Sequence, residues 1–253
     1  MSIVFNNLEV VEIHKFFQNR IKIPDFGQNH KKPLSKLLKD SENYFEQVFM
    51  MPKRQDQQWF VRTWVFFWIE HTLGYRLNET RQLTFGDFYV QRGNKLCFRT
   101  HCLVENEICK RDIGRKICPI SYLLRDVIDF YYHYLYERCF GFTPEFGGNL
   151  FISTTRKNIG GNVNKGLLHK TTFWYWLKSL FEKVFGDEYG IRKMSSHSFR
   201  KYIFNRTRED NGNDTQLAMK FSNHTTEKAF CRYISNDKGK LIEYLMNLDT
   251  TKL

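Results

Sequence analysis

The sequence has no Cys-x-x-Cys pair, no internal repeat and no low-complexity tract. It also lacks any apolar run of membrane-spanning length. Each absence removes a class of protein. Without paired cysteines at finger or ribbon spacing, a structural zinc module is not expected, and no metal or other cofactor is implied. The six cysteines (Cys97, Cys102, Cys109, Cys118, Cys139 and Cys231) read as reduced thiols, several of them in strands. Met1 to Val11 carries no basic segment followed by an apolar core, so it does not read as a signal peptide. The most apolar run, Trp64 to Ile69, is far too short to cross a bilayer and is flanked by Arg62 and Glu70, so no membrane partner is expected. With no export signal, the Asn-x-Thr triplets at Asn78, Asn205, Asn213 and Asn223 are chance matches, and a cytoplasmic location is expected, on the nucleoid if the chain is bacterial.

What is present is a basic, aromatic-rich globular composition. Hydrophobic residues make up 42% of the 253 positions and charged residues 26%, enough for one large domain or for one domain with a small appendage. Aromatic residues reach 17%, with 24 phenylalanines, many at helical spacing where they would fill a core. The formal charge of +12 points to a polyanionic partner, nucleic acid before an anionic membrane surface.

Periodicity and turn residues predict a mainly helical chain with one small sheet. Leu8 to Phe17 suits a short helix, Ile23 to Lys32 a loop, and Pro33 to about Met50 a further helix that Pro52 ends. Gln55 to Tyr75 is apolar on nearly every face, as in a central buried helix, and a short helix starts near Asn78. Phe88-Tyr89-Val90, Leu96-Cys97-Phe98 and Ile117-Cys118-Pro119 are β-type runs, separated by turn signals at Arg92-Gly93-Asn94 and Asp112-Ile113-Gly114. They predict an antiparallel sheet of about three strands. Ser121 to Phe140 and Lys170 to Phe185 are amphipathic helices either side of a loop-rich stretch, Gly141 to Gly161. Shorter helices are expected over Ser198 to Arg208, Thr215 to Phe221, Glu227 to Tyr233 and Lys238 to Leu248.

Several polar residues stand out against this background. His197-Ser198-Phe199-Arg200 sets His and Arg three positions apart, on one face of any helix it opens. His224 precedes Tyr233 by nine residues. Gly74-Tyr75-Arg76-Leu77-Asn78-Glu79 puts an arginine at the end of the buried helix and a glutamate one turn later. The β-rich stretch between these motifs carries Lys110.

Taken in order, these residues resemble the catalytic domain of tyrosine recombinases, the lambda-integrase-like family. Gly74, Arg76, Glu79, Leu83 and Asp87 are similar to that family's first arginine motif. Lys110 followed by Cys118-Pro119-Ile120 looks like its lysine hairpin, and Asn149-Leu150-Phe151-Ile152 like its leucine-phenylalanine strand. His-x-x-Arg, Gly212, a histidine motif and the tyrosine complete the series, over about 33–235. Two departures stand out. Ser222-Asn223-His224 replaces the usual Leu-Gly-His, with Asn tolerating the left-handed backbone that Gly supplies at a helix end. The family's lysine position falls between Lys110 and Arg111, and Lys95 and Lys116 are the other lysines of the region.

The resemblance implies a mainly α fold with a small antiparallel sheet, and a DNA strand-exchange activity. Arg76 and Arg200 would clamp a phosphodiester, His224 would add a donor, and His197 would manage the proton of Tyr233. Lys110 would protonate the leaving 5′ oxygen, Glu79 would support Arg76, and Tyr233 would become a 3′-phosphotyrosine without ATP or metal. Cys231 reads as a packing residue near the nucleophile. The expected partner is double-stranded DNA, held in part by Lys and Arg in 30–40, 53–62, 92–116 and 156–170. The expected organisation is a short segment over 1–32, an N-terminal extension or the remnant of a DNA clamp, then a catalytic domain over 33–235. A tail helix over 236–253, with Leu241, Ile242, Tyr244, Leu245 and Met246, would dock on its own domain or a neighbouring protomer. A dimer on a site and a tetramer in synapsis follow from the resemblance, with an accessory DNA-bending protein or second recombinase as further partners. A relaxing activity of type IB topoisomerase kind and a non-catalytic DNA-binding protein of the same fold are the rival readings.

Overall fold

Bulky side chains on every face of one helix require neighbours on every side, and that requirement organises the first part of the chain. In a computed structural model, the residues described are 7–20, 54–93, 95–104, 116–134, 148–152, 167–186, 195–222, 224 and 226–231. Two compact units are separated at Ile203 and Phe204, within one helix.

In the first unit, α1 (Asn7–Gln18) is followed by α2 (Arg54–Leu73) and the one-turn α3 (Leu77–Thr80). Helix α2 is the hub, with Phe60, Val61, Val65, Phe66, Phe67 and Ile69 all fully buried. Phe17 of α1 meets Phe60 and Phe67, so α1 belongs to this core. Trp64 meets Phe130 edge-on in α4 (Tyr122–Tyr134), and Phe66 packs on Phe173 of α5 (Lys170–Phe185). Phe67 also touches Phe199 of α6 (Ser196–Asp210). His14 of α1 and His71 of α2 meet edge-to-face at 5.0 Å within this aromatic cluster. Burial lowers the pKa of His14 to about 4. Burial, and then the charge of His14, lowers His71 to about 3, although its Nδ1–H donates to the Phe67 carbonyl at 2.8 Å.

The β structure differs from the expected three-stranded sheet. Among the described residues there are two separate antiparallel pairs, β1 (Tyr89–Arg92) with β2 (Lys95–Phe98) and β3 (His101–Val104) with β4 (Lys116–Pro119). The strand missed is β3, whose His-Cys-Leu-Val sequence offers no turn residue to separate it from β2. Gly93, at φ +59°, turns the two-residue loop that joins Arg92 to Lys95. Ile120 N–H donates to the Thr100 carbonyl at 3.0 Å, so the neighbouring His101 and Pro119 face each other at a position where no ladder N–H is needed. Proline therefore ends β4 without costing a bond.

The leucine-phenylalanine segment is wholly internal. Leu150 and Phe151 are fully buried, and Leu150 N–H donates to the Leu83 carbonyl at 2.7 Å, directly after α3. Asp87 closes the turn that follows, accepting from the backbone N–H and hydroxyl of Thr84 at 2.7 and 2.9 Å. Helix α5 begins after His169, whose Nδ1 accepts from Thr171 N–H, and ends at Gly186, φ +78°.

In the second unit, Phe204 is fully buried against Phe221 and Phe230. Gly212 and Asn213, both at φ +66°, end α6, and Asp214 caps α7 (Thr215–Ser222) by accepting from Leu217 N–H at 3.0 Å. Helix α8 is described over Glu227–Phe230. Cys231, expected to pack, is exposed, because it lies beyond the buried face that Phe230 supplies. The described residues are thus mainly helical with a small antiparallel β component, the expected fold class. The expected helices over Pro33 to Met50 and Lys238 to Leu248 lie outside them. Among them, no helix is long and apolar enough to cross a membrane.

Candidate active site

Helix α2 stops at Gly74, whose φ of +58° would strain any side-chain-bearing residue. The left-handed residue re-aims the chain, so the next turn, α3, starts at Arg76 in an extended conformation. Glu79 then folds back on the arginine. One carboxylate oxygen accepts from the Arg76 backbone N–H at 2.8 Å, and the other accepts from its Nη1, also at 2.8 Å. The carboxylate is buried, with its side chain 2% exposed, while the Arg76 side chain remains 33% exposed. A guanidinium held by a buried carboxylate and still partly exposed does not have to be ordered when an anion reaches it.

Arg200 reaches the same place from the other end of the chain. It is fully buried on α6, and its Nη1 donates to the Gly74 carbonyl. The carbonyl two residues before Arg76 thus anchors the second guanidinium. Ser198 caps the start of α6 by accepting from Ser195 N–H at 3.2 Å, which fixes the first turn that carries His197. His197 is exposed at the surface yet has its pKa lowered from 6.5, first by partial desolvation, then by the positive charges of Arg200, Arg76 and Lys201. Those two arginines therefore stand close enough to the ring to act on its charge. Arg76, His197 and Arg200 form one cluster, with Glu79 as the buried counter-charge.

His224 belongs to the second unit and is partly buried there. Its Nδ1 lies 2.6 Å from Ser222 Oγ, and its ring packs against Phe204 and Phe230. Tyr233 lies outside the described residues, as do Lys110, Asn223 and Cys109. Two contributors escaped the sequence reading. One is the Gly74 carbonyl, a main-chain group that no residue type announces. The other is the Ser222 hydroxyl, whose only signal is the replacement of an expected leucine. Among the described residues, no group of three His, Cys, Asp or Glu is placed to hold a metal ion.

No family model matches the chain, and no curated protein matches it in sequence. In fold it is similar to solved recombinases. The crystal structure of XerA recombinase superposes at a TM-score of 0.57 with 11% identity, covering 100% of this chain and 67% of that one. The XerH site-specific recombinase, bound to a palindromic difH substrate in a post-cleavage complex, superposes at 0.56 with 13% identity. That match covers 96% of this chain and 52% of XerH, so this chain spans about half the length of XerH. At such identities the likeness is one of fold.

Proposed function

We propose that this chain is a tyrosine recombinase, which cleaves and rejoins DNA strands through a covalent bond between Tyr233 and a 3′ phosphate. The observation that carries this reading is the cluster of Arg76, His197 and Arg200, drawn from distant parts of the sequence onto a fold like that of XerA and XerH. A hydroxyl attacking a phosphodiester builds extra negative charge on the non-bridging oxygens, and two forked guanidiniums fit that charge and geometry.

The phenolic oxygen of Tyr233 attacks phosphorus, and the bond from phosphorus to the 5′ oxygen breaks. His197, kept neutral near pH 7 by its surroundings, takes the phenolic proton. Lys110 gives a proton to the leaving 5′ oxygen. Arg76, Arg200 and His224 hold the phosphoryl oxygens, and Glu79 keeps Arg76 in place. The phosphotyrosine keeps the energy of the broken bond, so a 5′ hydroxyl reseals the strand by the reverse path without ATP. Duplex DNA is the substrate in this reading, the chain acts as an oligomer on it, and its place is the compartment that holds DNA.

The test is a nicked suicide substrate carrying a candidate site, taken first from DNA flanking the gene. Denaturing gels should show a protein–DNA adduct that Tyr233→Phe abolishes. Adducts on any supercoiled DNA, without site preference, would instead indicate a type IB relaxing enzyme. Tight binding to a site with no adduct would indicate a DNA-binding protein without catalysis.

A further inference from the structure

Ser222 is the last residue of α7, and it is 1% exposed. Its Oγ–H donates to the Met219 carbonyl at 3.1 Å, and the same oxygen lies 2.6 Å from Nδ1 of His224. The Met219 carbonyl also accepts the His224 backbone N–H at 3.1 Å, a bond across five residues that closes the helix end. The carbonyl is in the last turn, where helices have acceptors to spare.

A hydroxyl has one proton and two lone pairs. With that proton on the Met219 carbonyl, the oxygen meets Nδ1 with a lone pair. A contact of 2.6 Å between two acceptors would be repulsive, so this arrangement favours the proton on Nδ1. The ring is also walled by aromatics: Phe204 lies edge-on at 5.8 Å and 88°, and Phe230 is tilted at 5.6 Å. Chain geometry, a buried hydroxyl and two aromatic walls therefore act on one imidazole, where the family that the sequence resembles usually has a leucine that can accept nothing.

We propose that Ser222 is a positioning residue that holds His224 with its proton on Nδ1 and so sets Nε2 as the nitrogen presented to the phosphate. The consequence for strand cleavage rests on the reading of His224 as a phosphate ligand. In the neutral ring so held, Nε2 is an acceptor. It becomes a donor to a phosphoryl oxygen only by taking a second proton. The imidazolium then has Nδ1–H on Ser222 and Nε2–H on the phosphate, and it brings a full positive charge to the transition state. An Nε2–H neutral ring would bring only a dipole.

Long-range 1H–15N spectra of the full chain, labelled at histidine, read the tautomer directly, with His224→Gln to assign the signal. At a pH where the ring is neutral, Nδ1 should be the protonated nitrogen, the reverse of the form that free histidine favours in water. Ser222→Ala should move the proton to Nε2, and Ser222→Thr, which keeps a hydroxyl, should leave it on Nδ1. On the suicide substrate Ser222→Ala should form adduct about tenfold more slowly, the effect of one lost hydrogen bond, and Ser222→Thr should recover most of the rate. An Nε2–H ring in the unmutated protein, or the same tautomer with and without the hydroxyl, overturns the proposal. So does a switched tautomer with an unchanged adduct rate. Absence of adduct from the unmutated protein would overturn the recombinase reading, while the spectra alone would still decide the hydrogen bond.

Discussion

Arg200 donates to the carbonyl of Gly74, a residue 126 positions earlier in the chain. Because Gly74 is two residues from Arg76, this single bond ties both guanidiniums of the candidate site to one left-handed glycine. The chemistry of the side chains thus depends on a main-chain oxygen whose direction only glycine sets cheaply.

Gly74→Ala should destabilise the protein by about 1–2 kcal/mol, the cost of a side chain in left-handed backbone. It should also slow adduct formation, because the carbonyl that holds Arg200 turns with the strained peptide. Thermal melts and the suicide-substrate assay read the two effects separately. A full adduct rate in a folded Gly74→Ala protein would show that Arg200 does not need this anchor.

Glu79 has one carboxylate oxygen on the Arg76 backbone and the other on its guanidinium. Glu79→Ala should cost roughly 2 kcal/mol, within the range for hydrogen bonds to a charged group. Adduct formation should fall even with saturating DNA, since Arg76 must then be ordered during the reaction. A drop in DNA affinity with an unchanged maximal rate would instead make Glu79 a simple contributor to folding and binding.

The pH dependence of His197 follows from its neighbours. Its pKa is lowered from 6.5, so the ring protonates only at a pH below that of an ordinary histidine, and adduct formation should lose rate only on the acid side of 6.5. Lys201 is one of the charges that depress it. Lys201→Gln removes a positive neighbour, which favours the protonated ring and raises its pKa. The acid limb of the pH–rate curve should therefore move to higher pH. A shift to lower pH, or none, would remove His197 as the group being titrated.

His14 and His71 predict acid sensitivity of the first unit. Both are neutral in the folded protein, with pKa values of about 4 and about 3, against 6.5 when unfolded. Above pH 6.5 neither state binds the extra protons and this term is absent. As pH falls below 6.5 the unfolded chain takes up protons first, so stability is lost progressively down to about pH 3 to 4. Urea midpoints across this range should fall with pH, and His14→Phe should flatten the curve. An equally steep curve in that variant would place the sensitivity elsewhere.

The bounds of α5, from Lys170 to Phe185, and the course of α1 and α2 were legible in the sequence, because aromatic spacing and capping residues are local signals. Two pairings within the first unit were legible too, as residue types at characteristic spacings: Arg76 with Glu79, and His197 with Arg200. Strand β3 was not, because its pairing with β4 is made across the chain and nothing in His101 to Val104 announces it. Nor could the sequence assign acceptors. That Arg200 is held by the oxygen of Gly74, that Arg76 and Arg200 both act on the charge of His197, and that the Ser222 hydroxyl meets Nδ1 of His224 depend on packing. Residue identity sets which groups can donate, accept or titrate. Burial and the meeting of distant segments decide which of those capacities are engaged, because desolvation and charge act through space and not along the chain.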